Sequence, residues 1–150
     1  MVTHEDIANR IARRVKNLEV IMDGFAGVCG NVIAFAAYSD VVAIDIDSSR
    51  LDSAFANASI YGRDHRIQFV HGDFFKHAED FGQVDAVFLS PPWGGPTYKD
   101  APYDIFTMMS PDVTKIIEMC NRITRNIIFY VPRNIDPRQL IELFAHMPNM

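Results

Sequence analysis

The chain has 150 residues, 49% of them apolar and 22% charged, which is the length and composition of one folded domain and excludes a chain that is mainly disordered. Its 14 basic and 19 acidic residues leave a net charge of −5, which speaks against a histone-like grip on nucleic acid but permits a small anionic group held by a few placed arginines. The longest apolar run, at 32–38, is seven residues, well short of the roughly 20 that a membrane span needs.

His4, Glu5, Asp6 and Arg10 stand where a signal peptide would carry its apolar region, so nuclear or cytoplasmic residence is expected. Two cysteines, Cys29 and Cys120, make neither a disulfide framework nor a metal-binding spacing. Helix and strand patterns then alternate along the chain. Thr3 reads as an N-cap with Asp6 in the capping-box position, and Ile7, Ile11, Val15 and Leu18 come next at helical spacing. A buried strand at 20–22 ends at Asp23. Gly24, Gly27 and Gly30 open a helix over 31–38. A second strand, 41–46, is stopped by the cap cluster Asp47-Ser48-Ser49, and the next helix runs to Tyr61 with Gly62 as its stop. A third strand at 67–70 precedes Gly72-Asp73, and a fourth at 84–89 runs into Ser90-Pro91-Pro92-Trp93-Gly94-Gly95-Pro96, which neither a helix nor an inner strand accepts. A helix at 112–124, a strand at 126–131 and a helix at 137–145 complete the pattern. Short apolar strands between helices predict an α/β fold with a doubly wound, mostly parallel open sheet. Ligands of such sheets bind just beyond the carboxyl ends of the strands.

The residues at those ends are therefore the candidates. Gly24, Gly27 and Gly30 let backbone approach a ligand, or form a plain strand-to-helix turn; their spacing is not G-x-G-x-x-G, which counts against a dinucleotide. Asp45 can accept both hydroxyls of a ribose, whereas Asp47 reads as a helix cap. Asp73, followed by Phe74 and Phe75, suits an adenine amine and ring face, and suits a helix cap over core phenylalanines equally well. Pro91 and Pro92 remove two donors and leave carbonyls able to accept from an amine. Trp93, the single tryptophan, reads as a stacking platform or as a loop anchor on the core. His4, His65, His71, His77 and His146 show no ligand spacing and read as surface or capping residues. Met108 and Met109 read as packing. Arg10, Arg13, Arg14 and Lys16 read as a solvated helix face, with RNA contact as the other reading.

The glycine loop, Asp45, Asp73 and Ser-Pro-Pro-Trp resemble a class I S-adenosylmethionine-dependent methyltransferase of the kind that methylates exocyclic amines. The resemblance is closest to the trimethylguanosine synthase family, which hypermethylates RNA caps. It is carried by V-V-A-I-D-I-D at 41–47, V-F-L-S-P-P-W-G-G-P at 87–96, T-M-M-S-P-D at 107–112 and V-P-R-N at 131–134, with Val2, Thr3, Ile7 and Ala8 adding to it. It implies a Rossmann-like sheet of order 3-2-1-4-5, S-adenosylmethionine as cofactor, and methyl transfer to the 2-amino group of the 7-methylguanosine cap of small nuclear or similar RNA. It further implies that Asp23 and the Gly27–Gly30 loop face the methionine part of the cofactor, with Phe25, Asn31 and Phe74 in the same set. Asp45 would hold the ribose and Asp73 the adenine. Ser90 and Pro91 would hold the 2-amino group, Trp93 would stack on 7-methylguanine, and Arg133 would meet the cap phosphates with help from Tyr98. Cys29 stands where the family has a glycine. The family's upstream wall of the cap pocket and its final strand pair are expected to be lacking here. That leaves an open edge bounded by Asn126 and Val131, with self-association through it and weak turnover as the expectations. Two alternatives accompany this reading: a binding module of methyltransferase fold without turnover, and an amino-methyltransferase acting on adenine.

Overall fold

Five short runs of β-branched and apolar residues form the sheet: β1 (Val20–Asp23), β2 (Asp40–Asp45), β3 (Ile67–His71), β4 (Ala86–Leu89) and β5 (Ile127–Phe129). All four ladders are parallel, and the order is β3-β2-β1-β4-β5, as the resemblance implied. The computed structural model describes residues 2–99 and 101–145; His146 lies outside them. The connections carry α1 (Glu5–Arg14), α2 (Gly30–Phe35), α3 (Ser48–Ile60), α4 (Phe74–His77), α5 (Ile105–Met108), α6 (Val113–Ile123) and α7 (Pro137–Ala145).

Strand alternation sends side chains into two cores. Ile21, Val41, Ala43 and Phe88 meet Ala8 and Ala12 of α1, Val32 and Phe35 of α2, and Ala54 and Ala58 of α3. Met22, Val42, Ile44, Val87 and Leu89 meet Ile116, Ile117 and Cys120 of α6 and Leu143 of α7. Burial on both faces is why these strands read as continuous apolar runs rather than as alternating ones. Each fully buried side chain of this size contributes about 1.5–3 kcal/mol. β5 is different: its three residues are only half-buried, and among the described residues it pairs with β4 alone.

Four local expectations are corrected. His4, not Thr3, caps α1, its Nδ1 accepting from the Asp6 amide at 3.3 Å; the Thr3 hydroxyl instead accepts from Asn31 Nδ2 at 2.9 Å. α2 stops at Phe35, three residues early, because the Ala37 and Tyr38 amides bond three residues back, to Ala34 and Phe35, and tighten the last turn. The one-turn helix α4 is capped by Asp73, the cap that the sequence offered as an alternative, whereas α5, capped by Asp104, was not expected. Strand 126–131 is shorter as a ladder, although the Val87 amide bonds the Asn126 carbonyl and the Tyr130 amide bonds the Leu89 carbonyl, both at 2.9 Å, continuing it at each end.

Candidate active site

The register brings the strand ends to one edge. Asp23 pairs with Phe88, Asp45 with His71, and Leu89 with Phe129. Asp23, Asp45, Asp73, Ser90 and Tyr130 thus all lie at or just past the carboxyl ends of adjacent strands, where a parallel sheet places its ligands.

Asp23 is 1% exposed and Asp45 6% exposed. The Phe25 amide donates to Asp23 Oδ1 at 3.0 Å. Even so, burial, with the Asp45 charge adding to it, pushes the Asp23 carboxyl up to about 7. Both Asp45 oxygens accept from backbone: Oδ2 from Gly27 at 2.7 Å and Oδ1 from Asp47 at 2.9 Å. The first bond ties the glycine loop to β2. Each oxygen retains a second lone pair for a ligand hydroxyl. Arg50, half-exposed, lies 3.8 Å from Asp45 and closer, at 3.4 Å, to Asp47, so it gives the buried acids little compensation. A ligand bringing hydroxyls and positive charge fits such a donor set.

The loop before α2 has left-handed backbone at Gly27 (φ 56°) and at Cys29 (φ 67°). At Gly27 a side chain would meet open space, so conformation, not crowding, calls for glycine there. Cys29 takes the same conformation as a fully buried residue, at a cost of about 1 kcal/mol. Burial pushes its thiol up, with Asp23 and Asp45 adding to the shift, so it is an inert packing group. Asn31 sits in the first turn of α2, 8% exposed, its amide tied to Thr3 and its Oδ1 buried with no hydrogen-bond partner among the described residues.

Asp73 accepts from the Phe75 amide at 3.0 Å and caps α4, leaving one carboxylate oxygen uncommitted to the cap. Phe74 is 3% exposed and lies so close to Gly24 that a Cβ there would approach its ring to 2.8 Å. It is wedged beneath the glycine loop, against Phe25 at 5.7 Å.

Past β4 the chain leaves the sheet. Ser90 is half-buried, Pro91 buried and Pro92 exposed. Among the described residues nothing donates to the carbonyls of Ser90, Pro91 and Pro92. Trp93 is half-buried in an aromatic cluster, stacked on Tyr130 at 5.6 Å and 29° and edge-on to Tyr98 at 5.2 Å and 77°. Its Nε1 is buried with no hydrogen-bond partner among the described residues. Anchor and platform, opposed readings in the sequence, are therefore compatible: the cluster holds the indole, and the residue is only half-buried. Tyr98 is 7% exposed and packs on Tyr103, with Lys99 Nζ 5.7 Å above its ring.

Arg133 is exposed and forms no ion pair among the described residues. Asp136, its nearest acid in sequence, is bound by Arg138 at 2.6 Å. Its neighbour Asn134 is the residue whose role the sequence hid. Asn134 Nδ2 donates to the carbonyls of Tyr98 and Ala101 at 2.7 and 2.6 Å, and its backbone carbonyl accepts from the Tyr103 amide at 3.1 Å. It ties the loop after Trp93 to the segment after β5. Its position in V-P-R-N was the available signal, but its partners are more than 30 residues away in sequence. Tyr130 was missed likewise, as one more apolar residue of a strand.

Two grooves open away from this edge. One, of about 520 Å³, lies along β5 and the end of α1, between Arg14, Leu18, Arg125, Ile128 and Phe144. The other, of about 360 Å³, lies between α1, α2 and α3. Neither is lined by the strand-end acids.

The fold is that of methyltransferases. It superposes on a putative methyltransferase from Porphyromonas gingivalis W83 with TM-score 0.77 at 15% identity, over 95% of this chain and 35% of that one. The M. jannaschii tRNA m1G37 methyltransferase gives 0.64 at 20% identity, over 93% and 39%. The sequence model of the RNA cap guanine-N2 methyltransferase family matches residues 18–150, and the chain belongs to that family. Trimethylguanosine synthases of Schizosaccharomyces pombe and Saccharomyces cerevisiae are 34% and 36% identical to it over 93% of its length. The chain spans 62% and 48% of the length of these two relatives.

Proposed function

We propose that this chain binds S-adenosylmethionine and transfers its methyl group to the exocyclic 2-amino group of a 7-methylguanosine RNA cap. The observation that carries the reading is the junction at the end of β4. Ser90 and Pro91 present acceptors that no described residue uses, beside the buried acids of β1 and β2 and next to the half-buried Trp93. The family match and the two trimethylguanosine synthase relatives support it.

The cofactor would supply an electrophilic methyl group. Asp23 and the Gly27 loop would face its charged methionine part, Asp45 its ribose hydroxyls and Asp73 its adenine, with Phe25, Phe74, Gly30 and Asn31 shaping the wall. Ser90 and the Pro91 carbonyl would accept the N–H bonds of the 2-amino group and aim its nitrogen, positioning of a kind worth about 7–11 kcal/mol of a barrier. Trp93 would stack on the cationic purine, an arrangement that favours 7-methylguanine over a neutral base. Arg133, exposed and free of an ion pair among the described residues, would meet the phosphates. Capped RNA is then the partner, in the nucleus or cytoplasm. Among the described residues no helix is long and apolar enough to cross a membrane.

A second reading, a cap- or cofactor-binding module without turnover, is favoured by one observation, the β5 edge that no described strand covers. The same edge would support self-association. Incubation with S-adenosylmethionine and 7-methyl-GTP, read by mass spectrometry, separates the two. A product heavier by one or two methyl groups supports the transferase. Binding of both ligands without product supports the module. Methylation of adenine instead would replace the cap reading.

A further inference from the structure

We infer that Tyr130 is a positioning residue that holds the Trp93 indole in the plane on which the base stacks. The inference rests on the proposed role of Trp93 as the cap platform and adds the element that makes the platform rigid. Trp93 stands in a Pro-Pro-Trp-Gly-Gly segment, with Gly94 and Gly95 both at positive φ, and its backbone belongs to no regular element. Among the described residues its Nε1 makes no hydrogen bond, so no polar contact with them fixes the ring about its side-chain torsions. Stacking does. Tyr130 lies nearly parallel to the indole, at 29° and 5.6 Å, the offset arrangement that aromatic pairs favour.

Tyr130 is itself held by the sheet. Its amide donates to the carbonyl of Leu89, the residue before Ser90, at 2.9 Å. The acceptors proposed for the amine and the ring behind the platform thus start from one rung of the β4–β5 ladder. Tyr130 also packs on Phe88 at 6.5 Å and 31°, and Phe88 on Phe35 at 5.3 Å. Phe35 and Phe88 are buried at 1% and 0% exposure. An aromatic column therefore runs from the core beneath α2 to Trp93 and transmits the rigidity of the core to an otherwise irregular loop. A preorganised platform binds more tightly because less side-chain freedom is lost on stacking.

The test uses Trp93 as its own reporter, since it is the only tryptophan. Tyr130→Phe and Tyr130→Leu are compared with the wild type. The leucine keeps apolar bulk on the strand, so the fold survives, and S-adenosylhomocysteine binding by calorimetry verifies it. Quenching of Trp93 fluorescence by 7-methyl-GDP gives the affinity, and acrylamide quenching gives the exposure of the indole. Tyr130→Leu should weaken 7-methyl-GDP binding about five- to tenfold, raise acrylamide quenching, and leave S-adenosylhomocysteine affinity within about twofold. Tyr130→Phe should restore the wild-type values, because the ring and not the hydroxyl carries the effect. Wild-type 7-methyl-GDP affinity in Tyr130→Leu would overturn the inference while leaving the platform in place. Equal losses in both variants would overturn it in favour of the hydroxyl. Absence of 7-methyl-GDP binding to the wild type would remove the cap platform itself, and this inference with it.

Discussion

At Asp23 burial changes the chemistry of a carboxylate at the candidate site. Its carboxyl is raised from 3.8 to about 7, so between those values the native state holds a proton that the unfolded chain has released. Stability of the ligand-free protein therefore falls as pH rises across that window, by at most about 1.4 kcal/mol per pH unit, and levels off above the native value. Asp23→Asn keeps an acceptor for the Phe25 amide and never ionises. Relative to wild type it should gain stability from pH 5 to pH 7.5; urea unfolding at the two pH values reads this, and an unchanged gap would show that Asp23 ionises freely. Trp93→Ala should weaken 7-methyl-GTP binding by about 1–3 kcal/mol with cofactor affinity nearly unchanged. If 7-methyl-GTP and GTP bind the wild type alike in calorimetry, the cationic base is not what the indole recognises. Arg133→Ala should weaken the triphosphate more than the nucleoside, with a loss that shrinks as salt is added. Equal losses for the two ligands would take Arg133 off the phosphates.

Elements decide how much of this was legible in the sequence. β1, β2 and β4 show as runs such as 41–44, because burial on both faces writes itself into the sequence as an unbroken apolar stretch, whereas β3 is exposed at Gln68 and β5 is half-buried. Helix α3 was legible from its cap, Asp47, and α6 as the span 112–124; in the structure Asp47 and Asp112 each accept two amides of the first turn. α5 was not, since a single turn carries no period, and α4 was legible only as the cap alternative at Asp73. The strand-end positions of the candidate site were legible to the same depth. Asp23, Asp45, Asp73 and Ser90 each stand at or just past the end of a strand, so finding the strands found them. Tyr130 and Asn134 act through contacts that chain order does not announce. For the loop after Trp93, Asn134 is the tie. Asn134→Ala removes two hydrogen bonds, each worth about 0.5–1.5 kcal/mol, and frees Tyr98 and Ala101 from the segment after β5. Proteolysis should then cut between Trp93 and Tyr103 well before the sheet. Unchanged cleavage kinetics would show that aromatic packing alone holds the loop.

At the scale of the molecule the sheet is asymmetric. In β5 three half-buried apolar residues, Ile127, Ile128 and Phe129, form a strand whose outer backbone groups meet no described strand. Beside it runs the groove between Arg14, Leu18, Arg125 and Phe144. Edge strands in stable monomers are shielded by charges that point along them, by proline or by a covering element. Here the flanking charges are Arg14 and Arg125, which line the groove, and Ile128 carries none. A net charge of −5 spread over 150 residues is too diffuse to oppose close pairing at physiological salt, where repulsion is screened beyond about 8 Å. The chain should therefore self-associate through β5 as its concentration rises, and the sedimentation coefficient should rise with it. Ile128→Lys places a charge in the middle of the edge and should restore a monomer, while cofactor binding at the carboxyl ends of the strands persists. A wild-type chain that sediments as a monomer up to about 100 µM, where contacts weaker than about 5.5 kcal/mol escape detection, would show that the edge is protected as it stands.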